Sequence, residues 1–176
     1  MEQQNKRTFS VRKLALLASL LALAFGLGYL DVLIPLDGLG IPGIKLGLAN
    51  LAVLAALYLL GWPQAALVSL VRILLFWFVF GNFTAFLYSL CGGILSLAVM
   101  AIFRKIRLFD EVGVSVSGAV VHNTGQLLMA WFLTGTAAVW WYYPVLLFSG
   151  ALAGALIGLL FRIVHGRVAK LLSPSV

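Results

Sequence analysis

The sequence predicts an all-α integral membrane protein, a single domain over residues 1–176 with six transmembrane helices and both termini in the cytoplasm. Three observations carry that expectation. Hydrophobic residues make up 63% of the chain and charged residues only 10%, against about 25% charged in a typical soluble domain, and the mean hydropathy is +1.11. Apolar runs of spanning length recur along the chain, separated by turn residues or charge. The basic residues gather in short segments that flank those runs.

A spanning helix needs about 20 mostly apolar residues. Six segments fit: 12–34, 46–61, 63–81, 84–103, 113–134 and 141–164. The first follows a basic start, as a signal peptide does. Its apolar run from Leu14 to Leu36 is long for a signal sequence and lacks a small-residue cleavage site, so it reads as a retained helix. The second is the shortest, with room to extend into the loop before it. Gly61-Trp62-Pro63 divides it from the third, because proline suits a helix start and not a helix interior. Gly81-Asn82 closes the third, the charged stretch RKIRLFDE at 104–111 closes the fourth, and Thr134-Gly135-Thr136 closes the fifth.

Charge sets the orientation. With the N-terminus inside, Lys6, Arg7, Arg12, Lys13, Arg104, Lys105, Arg107, Arg167 and Lys170 fall on the cytoplasmic side, and the outer loops carry only Lys45. This is the positive-inside pattern. Trp131 and the run Trp140-Trp141-Tyr142-Tyr143 then meet the outer interface, where amphipathic aromatics sit. The net charge of +7 is thereby explained by topology, and a nucleic-acid partner is not expected. The bilayer is the expected surrounding, and the expected location is a bacterial cell membrane crossed several times.

Polar residues inside such helices are costly, and they often mark a site. On the fifth helix, His122 and Gln126 lie four apart on one face, with Asn123 bordering it. Arg72 on the third helix lies about nine residues from Pro63, and His122 about nine from Gly113, so both reach mid-membrane depth. A guanidinium stays charged at that depth and needs an anionic partner. The second to sixth helices contain no Asp or Glu, and Asp31 is the only acid in the first. Two readings stand: Asp31 or backbone carbonyls satisfy Arg72, or a bound ligand does.

The glycine-rich linker 36–51 leads into the second helix. Lys45 in its first turn, together with the positive dipole end of the helix, would attract an anion from outside, and Asn50 lies just over one turn deeper. Lys45 could equally point to water, and Asn50 could equally bond a neighbouring helix. Tyr88, Ser89, Gly92, Gly93 and Ser96 on the fourth helix either leave room for a ligand or permit close packing. The expected site is a polar pocket of Arg72, His122, Asn123 and Gln126, reached past Lys45 and Asn50, with positive charge and apolar, aromatic walls. It suits a small amphipathic molecule with an anionic or carbonyl-rich head.

Two small-residue faces remain. Ala18, Ala22 and Gly26 are four apart on the first helix, and Gly150, Gly154 and Gly158 are four apart on the sixth. Such spacing lets backbones approach closely, within the bundle or against a partner. Other chemistry is missing. Cys91 is the single cysteine, and His122 has only His165 as a second histidine, so no metal site is expected. There is no GxxxxGK[ST] loop, no DDxxD motif and no Ser/His/Asp set. Neither a catalytic residue nor a cofactor is expected; the chain reads as a non-enzyme, and any energy source must sit on another chain.

PGIKLGLANL (42–51), the arginine of SLVRILLF (69–76), YSLCGG (88–93) and GVSVSGAVVHNTGQL (113–127) together resemble the Gx transporter family, whose members are often labelled heptaprenyl diphosphate synthase component I. The resemblance spans about residues 12–165. It implies kinship with the substrate-binding S components of energy-coupling factor transporters, which are six-helix proteins that bind a ligand near the outer face. These dock onto a shared membrane subunit with two ATPases. By that likeness, Ala18, Ala22 and Gly26 would dock the partner and residues 35–45 would cover the ligand. The synthase label fits the residues poorly, since prenyl transfer needs diphosphate-holding carboxylates. The expected function is thus an S-component-like binding subunit for uptake of a small anionic or quinone- or flavin-related molecule. The alternative is an accessory subunit of prenyl-quinone synthesis or flavin-based extracellular electron transfer, with a prenyl synthase or redox protein as its membrane partner.

Overall fold

The computed structural model describes residues 11–33, 47–107 and 109–172, with the side chains of Arg12 and 168–172 left aside. Lys45, the proposed cover at 35–45, and the basic residues Lys6 and Arg7 lie outside the described residues. Within them the chain is helical and contains no strand. The helices are α1 (Val11–Leu33), α2 (Ala49–Leu59), α3 (Trp62–Phe80), α4 (Phe83–Ile106), α5 (Glu111–Thr134) and α6 (Tyr143–Leu172), with a 3-10 helix at Ala137–Tyr142 ahead of α6.

The helix ends follow local chemistry. α3 begins after Gly61, with Pro63 in its first turn, and stops at Gly81, whose φ of 65° is left-handed. Asn82 caps α4 by accepting from the Ala85 N–H at 2.9 Å. Asp110 caps α5 by accepting from the Gly113 N–H at 2.9 Å. The charged stretch between α4 and α5 is therefore both a basic flank and a helix start. The aromatic run after Gly135 winds into the 3-10 turn and does not begin α6 at residue 141.

Four segments are long and apolar enough to cross a membrane: Lys13–Leu33, Trp62–Phe80, Phe83–Ile106 and Ala137–Arg167. α5 matches α4 in length, but its serines, His122, Asn123 and Gln126 make it less apolar. α2 is shorter than the 46–61 segment expected from sequence. Its 11 residues extend about 16 Å at 1.5 Å per residue, roughly half a hydrocarbon core. It is apolar on every side, and Ala52 to Leu57 are all buried. A helix hydrophobic all round belongs at the centre. The core forms around it from Leu17, Leu20 and Ala24 of α1, Val68 of α3, Met100 of α4, and Ile157 and Phe161 of α6.

Glycine sets the tightest helix pairings. A Cβ at Gly154 would stand 2.7 Å from Val116 Cα, and one at Gly158 would stand 2.7 Å from Val112 Cα. The α6 stripe is spent on α5, inside the bundle. On α4, a Cβ at Gly92 would stand 2.7 Å from the His122 carbonyl, and Gly125 on α5 faces the Gly92 backbone in return. Close backbone approach is what holds helices together where lipid is the solvent.

Candidate ligand cavity

All six helices contribute to one cavity of about 320 Å³. It lies at the end of the bundle where α1, α3 and α5 finish and α2, α4 and α6 begin. Arg72, His122, Asn123, Gln126 and Asn50 all line it, so five of the six sequence-predicted binding residues converge. The matched depth of Arg72 and His122 on α3 and α5 is the reason. Ser89 joins them from α4, and Gly47 precedes Asn50 at the start of α2 with a φ of 67°.

The floor is held from below by α4. Gly92 lies against His122 and Gln126: a Cβ there would be 3.1 Å from His122 Cε1 and 3.0 Å from Gln126 Cγ. Gly93 lies instead against Ile73 and Ser69 of α3. Both glycines serve close packing, and Gly92 thereby sets where the imidazole and carboxamide stand. Asn123 divides its role. Its Nδ2 donates to the Leu146 carbonyl of α6 at 2.8 Å, which ties α5 to α6, while the residue still borders the cavity.

Arg72 is half-buried. Its Nε is shielded from solvent and has no hydrogen-bond partner among the described residues. Asp31 of α1 also lines the cavity, and its charge acts on the guanidinium. This corrects the expectation of a purely positive pocket: the last turns of α1 bring the acid to the same chamber. An acid is thus near Arg72, and the guanidinium also borders open volume.

The aromatic walls take specific form. Phe76, Trp77 and Phe80 of α3 and Phe86 of α4 line the cavity. Phe76 and Phe80 stack with centroids 5.2 Å apart, and Trp77 tilts against Phe86 at 5.1 Å. The i, i+4 spacing of Phe76 and Phe80 places them on one helix face, which lines the cavity while Phe80 stays 41% exposed.

A second polar cluster sits at the opposite end. The Arg104 guanidinium donates to the Tyr58 carbonyl at 3.2 Å and lies 5.1 Å above the Tyr58 ring. Arg162 pairs with Asp110 at 3.3 Å, and His165 contacts Glu111. Arg104 thereby satisfies a carbonyl freed by the early end of α2. On α1, Ala18, Ala22 and Gly26 are exposed, and a Cβ at Gly26 would meet nothing within 4 Å. That stripe faces away from the bundle. Among the described residues, no three His, Cys, Asp or Glu gather closely enough to share a metal ion.

Fold and site together define an all-helical membrane protein that encloses a mixed-charge, aromatic-walled cavity. The chain belongs to the family described as heptaprenyl diphosphate synthase component I, which it matches over residues 20–164. No curated protein and no solved structure matches it.

Proposed function

We propose that this protein is a membrane ligand-binding subunit, S-component-like, which takes up a small amphipathic molecule and relies on ATPases carried by other chains. The observation that carries this reading is Arg72: a permanent cation with an uncommitted Nε, beside a cavity of about 320 Å³ that all six helices wall. Ligand pockets typically hold about 300–1,000 Å³. In the proposed topology all six helices cross or enter the bilayer with both termini in the cytoplasm, and the cavity then opens to the outside. Arg72, His122 and Gln126 bind the head group, Asn123 and Asn50 border it, and Lys45 guides it in. The outward stripe of Ala18, Ala22 and Gly26 supports docking to an energy-coupling subunit. A non-catalytic role is supported by the acids: Asp31 lines the cavity, whereas Asp110 and Glu111 are committed at the other end.

The family description favours a second reading, an accessory subunit beside a prenyl synthase component or a redox partner. Mass spectrometry of the purified protein tests the first reading. A small molecule should co-purify with the native chain and be lost from Arg72→Ala, with uptake reduced in cells. Unchanged uptake and no bound molecule would overturn it. A pull-down that recovers a prenyl synthase in place of an energy-coupling module would favour the second.

A further inference from the structure

The chemistry of the cavity narrows the class of ligand, on the premise that this cavity binds one. Arg72 and Asp31 face the same chamber with opposite formal charges. A polyanion placed there would be attracted by one and repelled by the other, and at short range in a low-dielectric chamber neither effect is small. A head with an acceptor and a donor side by side meets both groups at once. Asp31 can do this whatever else it bonds, because a carboxylate has about four acceptor sites. Phe76, Trp77 and Phe86 line the same chamber, flat surfaces that reward an aromatic ring by offset or edge contact.

We propose that the cavity takes an aromatic ring compound with an ambipolar head, either an ammonium carboxylate or a cyclic imide edge, its acceptor meeting Arg72 and its donor meeting Asp31. A prenyl diphosphate sets like charge against Asp31, and a simple quinone, which offers acceptors alone, brings no donor of its own to it. This is specificity by mismatched charge and by a ligand donor present or absent.

Equilibrium dialysis of the full chain in lipid nanodiscs tests the proposal with four probes: L-tryptophan for the ammonium carboxylate, lumichrome for the imide, geranyl diphosphate for the polyanion and 1,4-naphthoquinone for the acceptor-only ring. One of the first two should bind at least tenfold more tightly than either of the others. Asp31→Asn, nearly isosteric, should weaken that probe at least tenfold, and Asp31→Glu should recover part of the loss. Thermal unfolding of each variant confirms that it folds. Tighter binding of geranyl diphosphate or naphthoquinone, or indifference to Asp31→Asn, overturns the proposal. If geranyl diphosphate wins and is lost in Arg72→Gln, the ambipolar head falls and the ligand-binding reading stands. If no probe binds and no small molecule co-purifies, both fall.

Discussion

The two ends of the bundle handle polar side chains in opposite ways. At one end Arg104, Arg162, Asp110, Glu111 and His165 engage the backbone and one another. At the other, Arg72 keeps an uncommitted Nε beside a cavity. Both ends hold arginine and acid, so composition does not separate them. The difference lies in what the helices leave between them. α2 ends early at the first site and exposes carbonyls that Arg104 can cap. At the second, Gly47 and Asn50 at the start of α2 line a cavity together with Arg72, Asp31 and His122. Polar groups that close on each other serve stability, and those that surround a volume are the ones proposed to meet a ligand.

The sharpest ways to break this comparison are substitutions that separate stability from binding. Gly154→Leu should have the largest effect. With Val116 Cα only 2.7 Å from the new Cβ position, overpacking should cost about 3 kcal/mol or prevent folding, read as a fall in unfolding temperature in detergent. Arg72→Met comes next and should act the other way round. Replacing a half-buried charge whose Nε lacks a partner among the described residues with an apolar chain leaves stability unchanged or raised, while binding of the co-purifying molecule falls about 100-fold, or roughly 2.8 kcal/mol. A clear drop in unfolding temperature would instead make Arg72 a structural residue like Arg104.

Arg104→Met sharpens the contrast at the other end. It removes a hydrogen bond to the Tyr58 carbonyl and a cation–π contact, so it should cost about 1–2 kcal/mol and leave ligand affinity alone, as isothermal binding and thermal unfolding together would show. The smallest effect on the isolated protein is expected from Gly26→Leu. Nothing stands within 4 Å of that position, so stability should change by less than about 0.5 kcal/mol. If the α1 stripe is a docking face, the same variant should lose its membrane partner in a pull-down; retention of the partner would free this face of that role.

Much of this was legible in residue spacing. The apolar runs and their breakers marked the helices, because a bilayer demands long apolar segments and Gly, Pro, Asn and Asp govern where they stop. Equal depth from the same side brought Arg72 and His122 together, and a four-residue interval put Gln126 with His122. Facing was not legible. Ala18/Ala22/Gly26 and Gly150/Gly154/Gly158 carry the same small-residue spacing, yet one stripe looks outward and the other is pressed onto α5. Asp31 entered the cavity, and Asn123 turned one donor to α6. The linear pattern determined which residues share a helix face and a depth, because those follow from the local geometry of a helix. Only the tertiary structure decided what each face meets, because rotation and register between helices are set by contacts among all six, and no single segment contains them.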